Sequence, residues 1–273
     1  MGLAPIVYEC QSLWQVRPDP CQGRGMTTAS LRVEITHHQE LGFGGAIDMA
    51  CDARIPDRTE LLASKGVAAV LAQAGGGNGV ARWAAEVCVL SFLADYYNTP
   101  ERWDTTLACG RVLAALNSWL RSQSHALYRL YRRPLVSLSA LVVKPGEAYV
   151  FHVGDTRIYR LRDADLEQVT RDHYLADRQQ LSRAMGADDH LQIHARRLLA
   201  EIGDVYLLVN RQVHGFVLDS RLRRLLLLHE TRLDEAARVM CVEALENGSD
   251  GNPTCQIVQV MDVGEVVAGV VRA

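Results

Sequence analysis

With 273 residues, 48% hydrophobic and 22% charged, the chain has ordinary globular composition and enough apolar material for a full core, which excludes a disordered class. A formal net charge of -3 and a pI near 6.3 give no bulk electrostatic drive toward nucleic acid or an anionic membrane. Seven scattered cysteines without a Cys-x-x-Cys pair fit a reducing compartment, and no apolar run approaches the roughly 20 residues of a membrane span, so a cytoplasmic location is expected. Basic clusters at Arg129–Arg133 and Arg221–Arg224 read as solvated faces.

Residues 1–25 mix Pro, Gly, Cys and Trp without a period and are read as a flexible leader or as upstream translation ahead of a start at Met26. The folded domain is expected over residues 28–263, with 264–273 as a tail. Leu31, Val33 and Ile35 alternate as in a strand, and the loop around Gly42-Phe43-Gly44-Gly45 leads into 46–57. Gly66–Ala72 suits a buried strand. A helix is predicted over Val80–Tyr97 with Val80, Trp83, Ala84, Val87, Leu90, Leu93 and Ala94 on its inner face, ended by Pro100. A second helix over Arg102–Ser124 turns Leu107, Val112, Leu113, Leu116, Trp119 and Leu120 inward.

Strands resume at Leu135–Val143, and Lys144-Pro145-Gly146-Glu147 turns the chain into a meander of Ala148–His152, Arg157–Leu161 and Leu166–Val169. Two helices are predicted within Asp172–Met185, with Asp172 as a cap. They are followed by strands over His190–Leu199 and Asp204–Asn210, helices over Leu218–His229 and Leu233–Asn247, and a last strand over Cys255–Val263. This is an α+β order.

The span Val150–Asp172, with Gly154-Asp155-Thr156-Arg157 at the bend and Leu166-Glu167-Gln168-Val169-Thr170-Arg171-Asp172-His173 trailing it, resembles the Gly-Asp-Ser-Arg meander of the type 2C (PPM-type, metal-dependent) protein serine/threonine phosphatases. The resemblance covers residues 28–263 and implies a four-layer αββα sandwich, two stacked antiparallel sheets flanked by helix pairs. It further implies a two-metal cleft in which aspartates hold Mg²⁺ or Mn²⁺, a bridging water attacks a phosphorylated Ser or Thr, and an Arg grips the phosphate.

Matched position by position, this chain departs from that pattern. Phe43 stands at the phosphate-gripping Arg position, and Met49, Gln73, Arg211 and Gly251 stand at metal-ligand positions. Hard divalent cations need oxygen ligands, and a guanidinium in place of a carboxylate turns attraction into repulsion, about 8 kcal/mol at about 4 Å as an upper bound. No catalytic residue, metal ligand or metal cofactor is therefore expected. The chain reads as a catalytically inactive phosphatase-like domain serving as a binding or regulatory module in bacterial Ser/Thr phosphorylation signalling. Its expected partner is a protein, a Ser/Thr kinase or that kinase's phosphorylated substrate. The alternative is an active Mg/Mn-dependent phosphatase using displaced carboxylates, Asp48, Asp52, Asp155 and Asp250. Arg211 is either a residual phosphate contact or a solvent-facing side chain. Asp155 is expected to be a turn-former bonding nearby backbone amides, His152 a core histidine, and the remaining histidines show no metal-ligand spacing.

Overall fold

The computed structural model describes residues 31–43, 48–75, 79–127, 135–175 and 180–263. The leader, the tail and the basic run around Arg129–Arg133 lie outside the described residues. In chain order the elements are β1 (Arg32–Gln39), β2 (Met49–Arg54), α1 (Thr59–Lys65), β3 (Val67–Ala74), α2 (Gly79–Asn98), α3 (Thr105–Leu127), β4 (Val136–Lys144), β5 (Glu147–Val153), β6 (Arg157–Arg162), β7 (Asp165–Gln168), β8 (His194–Leu199), β9 (Val205–Val209), α4 (Arg211–His214), α5 (Asp219–Leu228), α6 (Leu233–Glu246) and β10 (Thr254–Asp262).

The strands form two five-stranded antiparallel sheets, ordered β1-β10-β9-β6-β7 and β2-β3-β4-β5-β8. Alternation along the strands assigns each face. In β3, Val67, Ala69 and Leu71 meet Ile158, Tyr206, Leu208, Val258 and Val260 of the other sheet, while Ala68, Val70, Ala72 and Ala74 meet the α2–α3 pair. The opposite outer face, Leu207, Val209, Cys255 and Ile257, packs on α5 and α6. The result is four layers, helix, sheet, sheet, helix, as the sequence implied.

One ion pair closes the far end of the first sheet. Arg162 forks onto Asp204, with Nε to Oδ1 and Nη2 to Oδ2 both at 2.6 Å, and the Asp204 side chain is fully buried. The Tyr206 hydroxyl and the Glu201 amide donate to the same carboxylate, so its lone pairs are answered without water.

Several expectations are corrected. α2 buries Ala81, Ala84, Ala85, Cys88, Val89, Phe92, Leu93, Tyr96 and Tyr97, whereas Trp83, Leu90 and Ala94 are exposed. The helix is apolar on most sides, so periodicity alone does not choose its inner face; small residues turn toward the sheet because they allow close approach. Leu107 is likewise exposed. The described part of 172–185 contains no helix; it crosses the sandwich end as a strap, bridged at Tyr174↔Leu181 and Val136↔Met185. β2, α1 and α4 are too short to show a period.

Arg162→Ala strands the buried Asp204 carboxylate without its counter-charge. Stability measured by urea unfolding is expected to drop by about 3–5 kcal/mol, against under about 1 kcal/mol for Arg238→Ala at an exposed pair.

Candidate functional site

The register brings the chemically interesting residues to one end of the sandwich. The start of β2, the end of β3, the start of β4 and the end of β5 meet there in one sheet; in the other, the ends of β1 and β9 meet the starts of β6 and β10. Asp48, Gln73, Asp155, Arg211 and Asn252 occupy the turns and strand ends at this edge.

Two clusters form. In the first, Asn252 Nδ2 donates to Asp48 Oδ1 at 3.3 Å, and the Asn252 amide oxygen accepts the Gly42 N–H at 3.1 Å. Burial raises the Asp48 carboxyl above its usual range, against the hydrogen bonds from Asn252 and Gln73. Gln73 Oε1 is buried without a hydrogen-bond partner among the described residues. Gly42 is required by close approach: a Cβ there would lie 1.9 Å from the Gly251 carbonyl oxygen.

The second cluster is built on Asp155, whose side chain is 9% exposed. The Ser137 hydroxyl donates to Oδ1 and the Tyr174 hydroxyl to Oδ2, both at 2.8 Å. Arg211 Nη1 stands 4.0 Å from Oδ2, and its guanidinium lies over the Tyr174 ring, 5.6 Å from the centroid. The Arg211 side chain is 52% exposed. His214 Nε2 meets the Asp155 carbonyl oxygen at 2.8 Å. Asp155 thus binds side-chain hydroxyls rather than the backbone amides expected for a turn-former, apart from its own N–H, which donates to Ser137 Oγ at 3.2 Å.

The other sequence candidates fall outside these clusters. Phe43 is 93% exposed in a turn, Met49 is buried at 2% exposure, and Asp250 is exposed. Gly251 contributes only backbone against Gly42, and Asp52 accepts the Ala53 amide on β2. Asp172 does not cap a helix: both its oxygens take the Arg157 fork, at 2.9 Å from Nε and 2.7 Å from Nη2.

Sequence reasoning missed a third feature. His152, His173 and His194 pack as a cluster, with ring centroids 4.9 Å (152–173), 6.4 Å (152–194) and 6.4 Å (173–194) apart. Only the strand register announces it, since His152 pairs with His194 between β5 and β8. His152 and His173 clamp one residue, Gly154. The Gly154 N–H donates to His173 Nδ1 at 3.1 Å, while its carbonyl accepts from the His173 backbone N–H at 2.8 Å and from His152 Nε2 at 3.1 Å. Ser139 Oγ completes the His152 ring at Nδ1, 3.0 Å away. Gly154 itself has φ +105, and a Cβ there would meet Ser137 Oγ at 2.1 Å. Burial, then the neighbouring imidazoles, pulls His152 down to about 3; burial, then Arg183, pulls His173 down to about 4.

With this geometry in place, the fold is that of the PPM-type serine/threonine phosphatases, as the sequence resemblance implied. No protein-family sequence model and no curated relative matches the chain. Among solved structures, it is similar to PppA of Pseudomonas aeruginosa, described as a key regulatory component of T6SS, at TM-score 0.71 and 21% identity over 85% of this chain and 99% of that one. Serine/threonine phosphatase Stp1 from Staphylococcus aureus matches at TM-score 0.73 and 18% identity over 88% of this chain and 99% of that one. The catalytic domain of PstP in complex with 2 manganese ions matches at TM-score 0.70 and 22% identity over 85% of this chain and 100% of that one.

The expectation, drawn from the sequence, that no metal cofactor accompanies this chain is corrected by the PstP catalytic domain, a structure of this fold in complex with 2 manganese ions. The side chains gathered at the sandwich end are nonetheless a poor fit to a two-metal centre. Asp48 brings one carboxylate and Gln73 one free amide oxygen, while Asp155 is already answered by two hydroxyls with a guanidinium beside it. Among the described residues no group of three or more His, Cys, Asp or Glu is placed to hold an ion.

The buried histidine also sets an acid limit on the fold. His152 is neutral in the native state, its folded value lying below that of the unfolded chain, so its contribution is intact above about pH 6.5 and is lost as pH falls toward about 3. Between pH 7 and pH 5 its share of the loss is about 2 kcal/mol. Guanidinium unfolding at the two pH values, beside a His152→Gln variant that lacks this share, is the measurement.

Proposed function

We propose that the chain is a PPM phosphatase-like domain that binds a phosphorylated Ser or Thr side chain at the Arg211 end of the sandwich without hydrolysing it, as a regulatory module in Ser/Thr phosphorylation signalling. One observation carries the reading. The Arg211 guanidinium is half exposed and stands at 4.0 Å from its nearest carboxylate among the described residues, longer than the roughly 2.7–2.9 Å of a committed charge-assisted hydrogen bond, so its donors are available to an incoming anion. A planar fork of N–H donors matches a phosphate geometrically as well as electrically.

The absence of turnover is supported by the chemistry of the donors. Hydrolysis on this fold needs a nucleophilic water and an offset for the charge that builds on the phosphoryl oxygens. At this end the acidic oxygens are engaged, Asp155 by Ser137 and Tyr174 and Asp48 by Asn252. Asp172, the acid nearest the histidine cluster, is engaged by Arg157. Likeness to a regulatory component and to phosphatases supports a protein partner, and a kinase or its phosphorylated substrate is the partner whose chemistry this site would read. Among the described residues no helix is long and apolar enough to cross a membrane.

A phosphoserine peptide titrated into the protein in the presence of Mn²⁺ tests both halves at once. Binding without release of inorganic phosphate is the expected result, and Arg211→Asp is expected to weaken it about 10- to 100-fold, the worth of a charge-assisted hydrogen-bond pair. Steady phosphate release by the wild type would overturn the inactive reading; unchanged affinity in the variant would overturn the Arg211 site.

A further inference from the structure

We propose that Tyr174 is a positioning residue that keeps the Arg211 guanidinium off Asp155 and open to a phosphate-like dianion, and that His173 makes this arrangement proton-sensitive. The inference rests on the Arg211 reading above and adds how that site is regulated.

The geometry is a competition for one oxygen. Asp155 Oδ2 receives the Tyr174 hydroxyl at 2.8 Å, and Arg211 waits at 4.0 Å from the same atom, its guanidinium over the Tyr174 ring. Oδ1 is taken by Ser137. A carboxylate oxygen can take more than one donor, as Asp204 Oδ2 does, so the Tyr174 hydroxyl lessens what the guanidinium gains by closing in, and the ring beneath the guanidinium holds it at its distance. Without the hydroxyl, a 9% exposed carboxylate would face a half-exposed guanidinium with nothing between them, and a direct ion pair is the stable outcome. That pair would consume the donors an anion needs.

Tyr174 is held in place by its neighbour. The Gly154 N–H donates to His173 Nδ1, which is possible only while that nitrogen is unprotonated. A proton there sets N–H against N–H. Most of the surroundings oppose the cation, with Asp172 alone favouring it. Arg171 lies on the same segment, Arg183 further along the strap, His194 and Arg196 on β8, and His152 on β5; Arg171 and Arg183 act on His173 and His194 alike, and Arg196 on His194. The nearby acid, Asp172, is committed to Arg157 of β6, and His214 of α4 is committed to the Asp155 carbonyl. Protonation therefore expels His173 from the clamp, and Tyr174, the next residue, leaves Asp155 with it.

The expected sign opposes simple electrostatics. Added protons make the protein more positive and would strengthen anion binding, whereas loss of the Tyr174 spacer weakens it. The probe is sulfate, which stays ionised in this range, titrated calorimetrically at pH 7 and pH 4, where about half of His173 is protonated. Wild type is expected to bind about twofold more weakly at pH 4. Tyr174→Phe is expected to bind weakly at both, and His173→Asn, which keeps an acceptor for Gly154 but does not protonate, to bind well at both. A ligand-free readout runs beside it: the Arg211 Nε–Hε NMR signal is expected to become partly protected from exchange at pH 4 in wild type and protected at both pH values in Tyr174→Phe. An affinity that rises on acidification, or an Arg211 signal indifferent to Tyr174→Phe, overturns the proposal while leaving the phosphate reading intact. Absence of sulfate binding in every variant, with the Arg211 signal behaving as stated, sinks the phosphate reading and supports the role of Tyr174.

Discussion

A carboxylate shut away from water must be met by donors, and at Asp155 the choice of donors decides what the whole end of the sandwich can do. Ser137 from the start of β4, Tyr174 from the strap and Arg211 from α4 converge on it, so one aspartate joins both sheets and a connecting segment. Two of these partners are neutral hydroxyls, which satisfy the oxygens without cancelling the charge. The guanidinium does the cancelling from a distance. That division leaves a cation with spare hydrogen-bonding capacity at the surface, the feature on which a binding role depends.

Much of the architecture was legible because the strands obey simple patterns. The meander from Ala148 to Val169 shows alternation, aromatic and β-branched content and a glycine at the bend, and it lies where expected as β5 to β7. The two helix pairs were visible from their length. α2 was misread in orientation, since Trp83 and Leu90 have the spacing of a buried stripe yet face outward, and alanines and Cys88 face the sheet instead. Period locates a helix but does not rotate one whose sides are all apolar.

The site was legible in part and for a different reason. Positions 48, 73, 155, 211 and 252 lie within a few residues of strand ends, and a strand order suffices to bring them to one edge. What side chains do there depends on partners distant in sequence: Tyr174 on Asp155, Asn252 on Asp48, His194 beside His152. No spacing rule encodes such contacts. The strap over 172–185 looked helical because its polar and apolar residues mix without strand alternation, yet its hydrogen bonds run to Gly154 and Val136 and, between Leu175 and Gln180 and between Ser182 and His173, across a hairpin-like bridge rather than from turn to turn of a helix. Metal use was misjudged because the ligand positions were read singly, whereas manganese binding is a property seen in a structure sharing the fold.

The pairing of β1 with β10 sets the order in which this chain can be assembled on a ribosome. Arg32 lies opposite Asp262 and Gln39 opposite Thr254, so the first strand has no hydrogen-bonded neighbour until nearly all of the described polypeptide has emerged. The β2-β3-β4-β5-β8 sheet, by contrast, is complete by Leu199. During synthesis one half-sandwich is therefore available as a template while the other waits, with β1 an uncapped edge in need of protection until β10 has been made.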